Sequence, residues 1–247
     1  MAYTNSKLVS YKRLSPNCTK PRKKPITKIT IHHMAGNLSI ESCGAGFANA
    51  KRRASSNYGV GTDGRIGLYV EERNRSWCSS SADNDNSAIT IEVANCGGAP
   101  DWKVSDKAIE ATINLCVDIC KRNGIKKLIF TGDKNGNLTL HKYFKATECP
   151  GKYLESKIPE IVKEVNKRLS ANDKPVTTST TSGNFKVKIT TEELNVRAGA
   201  GTGYKIKSTV GKGEVYTIIQ EKTVGGKQWG KLKSGAGWIC LTGYTKR

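Results

Sequence analysis

The segment VNKRLSANDKPVTTSTTSGNF divides this chain in two. Between Val176 and Phe185 it holds no large apolar side chain, and it carries Pro175, Gly183 and a run of Thr and Ser. A stretch of that composition cannot bury enough apolar surface to offset the entropy of ordering it. Residues 171–183 therefore read as a flexible linker. The chain must build two separate cores, one from residues 1–170 and one from 184–247. Its length of 247 residues suits about one and a half to two domains.

The two sides differ in periodicity. Ahead of the linker, ITKITIHHM has strand-like apolar positions at Ile26, Ile29 and Ile31, and GRIGLYV and AITIEVAN read as further strands, the last preceded by the polar run SSSADNDNS. VSDKAIEATINLCVDICKRNG predicts a helix, with Ser105 as N-cap, an apolar stripe through Ile109, Ile113, Cys116, Ile119 and Cys120, and Gly124 as the stop. KKLIFTG reads as a short strand and YLESKIPEIVKEVNKRL as a closing amphipathic helix. Interleaved strands and helices imply an α/β domain, a central mixed sheet flanked by helices. After the linker, FKVKITT, LNVRAG, GYKIKSTV, VYTIIQEKT, WGKLKS and GWICLT are short strands spaced by Gly-rich turns. They suit a small all-β barrel.

Charge narrows the partners. Lys and Arg total 41 against 21 Asp and Glu, a net +20, which favours polyanions such as nucleic acids, teichoic acids or anionic peptidoglycan. Residues 184–247 hold twelve Lys/Arg and four acids, so the basic groups are spread over both parts. No nucleic-acid-reading motif accompanies them, which argues against a nucleic-acid partner. No apolar run approaches the ~18 residues of a membrane span, and MAYTNSKLVSYKRLSPNCTKPRKKP lacks the apolar core of a signal peptide. The expectation is a protein made in the cytoplasm, without stable membrane insertion, that needs release to meet an external substrate. Of eight scattered cysteines, all but Cys149 read as small buried apolar residues.

The chain has three histidines, His32, His33 and His141, all before the linker. His32 ends a strand. His141 stands eight residues before Cys149 in HKYFKATECPG. Two imidazoles and a thiolate form a sensible three-ligand set for Zn²⁺ with a fourth position open for water, the arrangement of a catalytic zinc. Two satisfied histidines and a buried thiol account for the same residues equally well.

Three segments, ITIHHMAG, SSNYGVGTDGRI and HKYFKATECPG, resemble the zinc N-acetylmuramoyl-L-alanine amidases of the phage-lysozyme and peptidoglycan-recognition superfamily. In that family a strand ends in His-His or His-Cys, a Tyr precedes an Asp-Gly turn, and a second His and a Cys lie eight apart before Pro. The likeness covers residues of about 22 to 168. It implies zinc ligands His32, His141 and Cys149, with His33 as a packing neighbour. It also implies that Tyr58 bonds near the reacting oxygen and that Thr147 assists the oxyanion where many members have Lys. Ser87–Glu92, SAITIE, loosely resembles the strand in which some members carry a catalytic Glu. Glu92 is thereby the expected general base toward the attacking water, with ion pairing to a lysine as the other account of a carboxylate in an apolar strand.

In the last part, LNVRAGAGTGY, WGKL and GWI resemble bacterial SH3-type domains, which bind wall peptide or glycan. Tyr204, Trp229 and Trp238 are candidate groove residues, although Trp238 suits the core as well. The combined resemblance implies a peptidoglycan amidase with a wall-binding module, as in phage or prophage endolysins. A host autolysin and a non-catalytic recognition protein are the rival readings; the presence of Cys149 argues against the second.

Overall fold

A computed structural model describes residues 3–173, 184–224 and 227–246. They fall into two units, Met1–Ala171 and Asn172–Arg247. In the first, apart from a two-stranded pair of Cys18–Thr19 with Arg75–Ser76, the strands are β1 (Tyr11–Lys12), β2 (Lys28–His33), β3 (Tyr58–Val60), β4 (Ile66–Leu68), β5 (Ala88–Val93) and β6 (Leu138–Leu140), which build the main sheet. They form one sheet in the order β1-β4-β3-β5-β2-β6. Only β3 and β4 run antiparallel; β2 is parallel to both β5 and β6. The result is the mixed sheet that the alternating pattern implies. The four helices are α1 (Ile40–Ala48), α2 (Ala82–Ser87), α3 (Asp106–Asn123) and α4 (Lys152–Asp173).

Strand alternation gives the sheet two chemically different faces. Ile29, Ile31, Tyr58, Ile89, Ile91, Leu138 and Leu140 share a core with Leu115, Cys116 and Ile119 of α3 and Leu154, Ile158 and Ile161 of α4. β-Branched side chains are stiff at χ1 and pack well on a pleated surface, which suits them to this layer. The opposite face carries Thr30, Thr90 and Thr139, all fully buried. Their hydroxyls are satisfied locally: Thr30 pairs with Thr139 at 2.9 Å and Thr90 with Ser76 at 2.8 Å.

α3 forms as its caps dictate. The Ser105 side chain accepts from the Ala108 N–H at 3.1 Å, and Gly124 takes the left-handed conformation that ends the helix. KKLIFTG, by contrast, forms no strand. The Asn166 side chain of α4 bonds both the N–H and the C=O of Leu128 at 2.8 Å, occupying groups that a strand would need for a ladder. The third parallel strand is instead Leu138–Leu140, inside the segment NGNLTL. The polar run before β5 contains α2, capped by Ser81. α1 likewise starts at a Ser cap, Ser39. α1 buries Ile40, Cys43, Gly44 and Phe47 at helical spacing, whereas α2, the polar ADNDNS, has no apolar stripe.

A buried charge cluster ties the beginning of the chain to α3. Glu72 has no solvent exposure. Its carboxylate accepts from Arg122 Nη1 and Nη2 at 2.8 and 2.6 Å and from the Tyr58 hydroxyl at 2.6 Å. Nearby, buried Arg22 donates to the carbonyls of Glu72, Asn74, Asn86 and Ala88.

The second unit is all-β, with strands β7 (Phe185–Ile189), β8 (Glu193–Arg197), β9 (Ile206–Gly211), β10 (Val215–Val224), β11 (Lys227–Leu232), β12 (Trp238–Cys240) and β13 (Thr245–Lys246). They form a seven-stranded sheet in the order β9-β8-β12-β11-β10-β7-β13, paired antiparallel throughout. Val187, Ile189, Val196, Ile218, Leu232 and Ile239 fill its core. Trp229 belongs to that core, Trp238 packs partly buried against it, and Tyr204 is exposed. Of the expected linker, residues 171–173 end α4, and 174–183 lie outside the described residues.

Glu72→Leu takes from the half-buried Arg122 guanidinium its buried carboxylate, leaving it only the Asp118 pair at 2.8 Å, and removes the acceptor of the Tyr58 hydroxyl, losses that together cost about 1–3 kcal/mol. Urea unfolding followed by helical circular dichroism should show a markedly lower midpoint for that variant, whereas Lys24→Ala, at an exposed ion pair with Asp83, should shift it little.

Candidate metal centre and the cleft around it

The polar face of the sheet runs straight into a cleft. Alternation puts His32 two residues beyond Thr30 and Glu92 two beyond Thr90, each on the same face as its threonine. The parallel register pairs His32 with Glu92 and Ile31 with Leu140. His141 follows Leu140 directly, so it emerges at the same level on the other side of β2. Cys149 arrives from the loop ahead of α4. The ligand atoms of His32, His141 and Cys149 all lie within 4.8 Å of one another. His32 Nδ1 is 3.7 Å from Cys149 Sγ, and the two imidazoles are 4.6 Å apart at their centroids.

Residue chemistry fits a metal here. His32 is 1% exposed and Cys149 8%, yet His32 Nε2 and His141 Nε2 are buried without hydrogen-bond partners. Buried polar nitrogens are seldom left unsatisfied, so orphaned atoms beside a thiol call for a ligand. Burial holds both histidines below their ordinary pKa, and for His32 the neighbouring His141 adds to the effect. They are therefore neutral, the form that ligates. Burial, then the nearby Glu92 carboxylate, pushes the Cys149 thiol up; a bound cation reverses that and ionises it.

Glu92 sits beside this set with no cationic partner among the described residues. Its Oε2 is buried and unpaired, and Oε1 lies 3.9 Å from Cys78 Sγ. Burial raises its pKa to about 8, with Arg52 pulling modestly the other way. The surrounding cavity of about 370 Å³ is lined by Leu38, Phe47, Arg52, Trp77, Cys78 and Thr147 among others. The Arg52 guanidinium rests over the Phe47 ring, 5.2 Å from its centroid.

Other expected site residues fall differently. Tyr58 is opposite Ile91 in the β3–β5 register, while Gly59 is opposite Glu92. Tyr58 thus points to the hydrophobic face, away from the cleft. Its hydroxyl donates to Glu72 and accepts from the Ser6 N–H at 2.9 Å. Thr147 does reach the cleft, where its hydroxyl accepts from the Cys149 N–H at 3.2 Å. His33 stands edge-on to Trp102, its ring centroid 5.3 Å away, and outside the three-ligand cluster. Gly151, at φ 80°, leaves it room, since a Cβ there would lie 3.2 Å from its ring. Cys78, Arg52 and Trp77 were not legible as site residues, because none has a diagnostic spacing to His32 or His141. Cys116 and Cys120 are core thiols of α3, as their helical spacing suggests.

Residues 22–152 match the family described as N-acetylmuramoyl-L-alanine amidase. No curated protein matches the chain. Among solved structures, a mutant of PlyL is similar at 14% identity and a TM-score of 0.50, over 63% of this chain and 96% of that one. The catalytic domain of XlyA is similar at 17% identity and 0.50, over 63% and 97%. The PlyG catalytic domain is similar at 16% identity and 0.50, over 67% and 98%. At these identities the likeness is one of fold.

Tyr58→Phe removes a buried hydroxyl from Glu72, so it should lower stability by about 1–2 kcal/mol in a thermal melt and leave kcat essentially intact. A fall in kcat above tenfold at full folding would put the hydroxyl back in the chemistry. Glu92 gives a second expectation for the metal-free chain. Its folded pKa of about 8 exceeds the ordinary value of 4.5, so between those pH values unfolding releases its proton. The Glu92 contribution to stability should fall as pH rises through that window and level off above it, most plainly above pH 6.5, where the opposing contribution of the depressed histidines is already complete. Glu92→Gln should flatten this part of a Tm-against-pH curve.

Proposed function

The chain belongs to the N-acetylmuramoyl-L-alanine amidase family, on just over half of its length, and from that premise we propose that it is a zinc-dependent enzyme cutting the amide between the lactyl carbonyl of muramic acid and L-alanine in peptidoglycan. The observation that carries the zinc reading is the convergence of His32, His141 and Cys149, with unsatisfied ring nitrogens on both histidines. When bound there, zinc supplies Lewis-acid polarisation of a carbonyl and acidification of water.

The residues divide the remaining work. Glu92 takes a proton from the attacking water and returns it to the departing alanine amine. A carboxyl poised near neutrality by burial is suited to both transfers. The Thr147 hydroxyl already accepts from Cys149 N–H, so its own proton is free to be donated to the oxygen that gains charge. Leu38, Phe47 and Trp77 give the cavity apolar walls, beside which these electrostatic interactions are stronger than in open water. Tyr58 has no part in this scheme.

The all-β unit is read as an SH3-type wall-binding module that follows the Thr/Ser-rich segment 174–183, which by its composition serves as the linker. In that arrangement it raises the local concentration of the amidase on its insoluble substrate, and the net charge of +20 draws the protein to anionic wall polymers. An amidase joined to such a module suits an endolysin that acts on the wall after release from the cell. No helix among the described residues is long and apolar enough to cross a membrane.

Chelation should abolish lysis in a zymogram and added Zn²⁺ should restore it. Mass spectrometry of digested walls should reveal new N-terminal alanine and no new reducing sugar; new reducing ends in its place would overturn the bond assignment. Glu92→Gln should lower kcat by about 10²–10⁴-fold with zinc per chain unchanged by elemental analysis. Near-normal turnover would remove Glu92 from the mechanism.

A further inference from the structure

The cleft holds a second ligand set that the amidase scheme does not use as such. His32, Cys78 and Glu92 also bring one ligand atom each within 4.8 Å of one another. Glu92 Oε2 and His32 Nε2 are buried and lack partners, and Cys78 Sγ stands 3.9 Å from Glu92 Oε1. Cys78 is held in place rather than arriving by chance: its backbone N–H donates at 3.0 Å to Oδ2 of Asp85. The buried Asp85 carboxylate is itself fixed by the Ser79 hydroxyl and N–H.

We propose that His32, Cys78 and Glu92 form an alternative metal position, exclusive of the first because both need His32, and suited to a thiophilic divalent cation such as Zn²⁺ or Cd²⁺. Imidazole, thiolate and carboxylate together are a donor set for ions of that kind, and they bind as the thiol gives up its proton. The position needs neither His141 nor Cys149. An ion parked there ligates Glu92, the residue that takes the proton in the proposed mechanism; this consequence rests on that reading, whereas the binding itself does not. The protein would then have a metal-loaded form that cannot turn over.

The test uses the full-length chain freed of metal by chelation and offered Cd²⁺ alone. Metal per chain is measured after gel filtration, and alkylation of each cysteine by iodoacetamide is followed by mass spectrometry. Cys149→Ser and His141→Asn, which each remove one of the two ligands that only the first set uses, should each still bind one Cd²⁺ and protect Cys78 from alkylation. Adding Cys78→Ser to either should weaken binding by about tenfold or more, and His32→Ala should abolish it. Circular dichroism checks that each variant is folded, and two separate variants keep the test decisive if one is not. Cys78 reacting as fast with Cd²⁺ as without it, in both variants, overturns the alternative position. If the wild-type chain binds Cd²⁺ and these variants do not, only this inference falls. If the wild-type chain binds none, the zinc reading of the cleft falls with it.

Discussion

Three parallel strands held in one register underlie everything the first unit can do. Hydrogen bonds between β2, β5 and β6 set His32 level with Glu92 and one residue past the Ile31–Leu140 pair. Because side chains alternate every residue, a slip of one position would turn His32 and Glu92 into the core of α3 and α4 and bring isoleucines into the cleft. That slip is forbidden energetically by the aliphatic face, where Ile29, Ile31, Ile89 and Ile91 are fully buried. The apolar layer thus fixes the geometry of the polar one. Chemistry at the end of the sheet is positioned by packing on the side that does no chemistry.

The same alternation explains why the tyrosine is structural. Tyr58 and Gly59 are neighbours, but the pleat sends one toward Glu72 and turns the other to the opposite face, where Tyr69 covers it. Gly59 must stay small, because a Cβ there would lie 2.5 Å from the Tyr69 hydroxyl. Tyr69 fills that space and anchors to the Ile40 carbonyl at 2.7 Å, supporting α1, which supplies one wall of the cavity. The charged cluster of Glu72 and Arg122 then locks the segment around Ser6 against the far side of the sheet. Buried ion pairs of this kind contribute less net stability than their Coulomb attraction suggests, but they disfavour arrangements that leave either charge unpaired.

Burial is also what makes the cleft reactive. The same removal of water that keeps His32 and His141 neutral drives Glu92 toward its protonated form. Both effects come from the cost of charge in a poorly solvated place. A divalent ion entering among neutral imidazoles meets little electrostatic opposition, and the carboxyl beside it is tuned near neutral pH. Cys78 complicates the picture. It puts a second sulfur within reach of the histidine and the carboxylate, so the cleft offers more donors than one tetrahedral catalytic centre uses.

Much of this was readable in the residues. The Ser105 cap, the stripe of α3 and Gly124 specify a helix locally, and the alternating aliphatics of β2 and β5 specify strands, because such signals depend on near neighbours alone. His32, His141 and Cys149 stood out as candidates because each sits in its own short motif matching the family resemblance, and the fold brings the three together. The interruption before Phe185 announced two cores. What the chain alone did not decide was which residues meet across long separations. Nothing near Cys78 in the sequence signals that it lies against Glu92, since that contact is made by the loop ahead of α2, which the Asp85 carboxylate of that helix holds through the Cys78 and Ser79 N–H groups. Nothing local tells KKLIFTG from a strand, since Asn166 of α4 takes its hydrogen bonds. The direction of Tyr58 depends on the register of β3 against β5, a property of paired strands and not of either one. Local preference chose the elements; the buried aliphatic face and the pairing of parallel strands chose their partners, and so decided which side chains face the cleft.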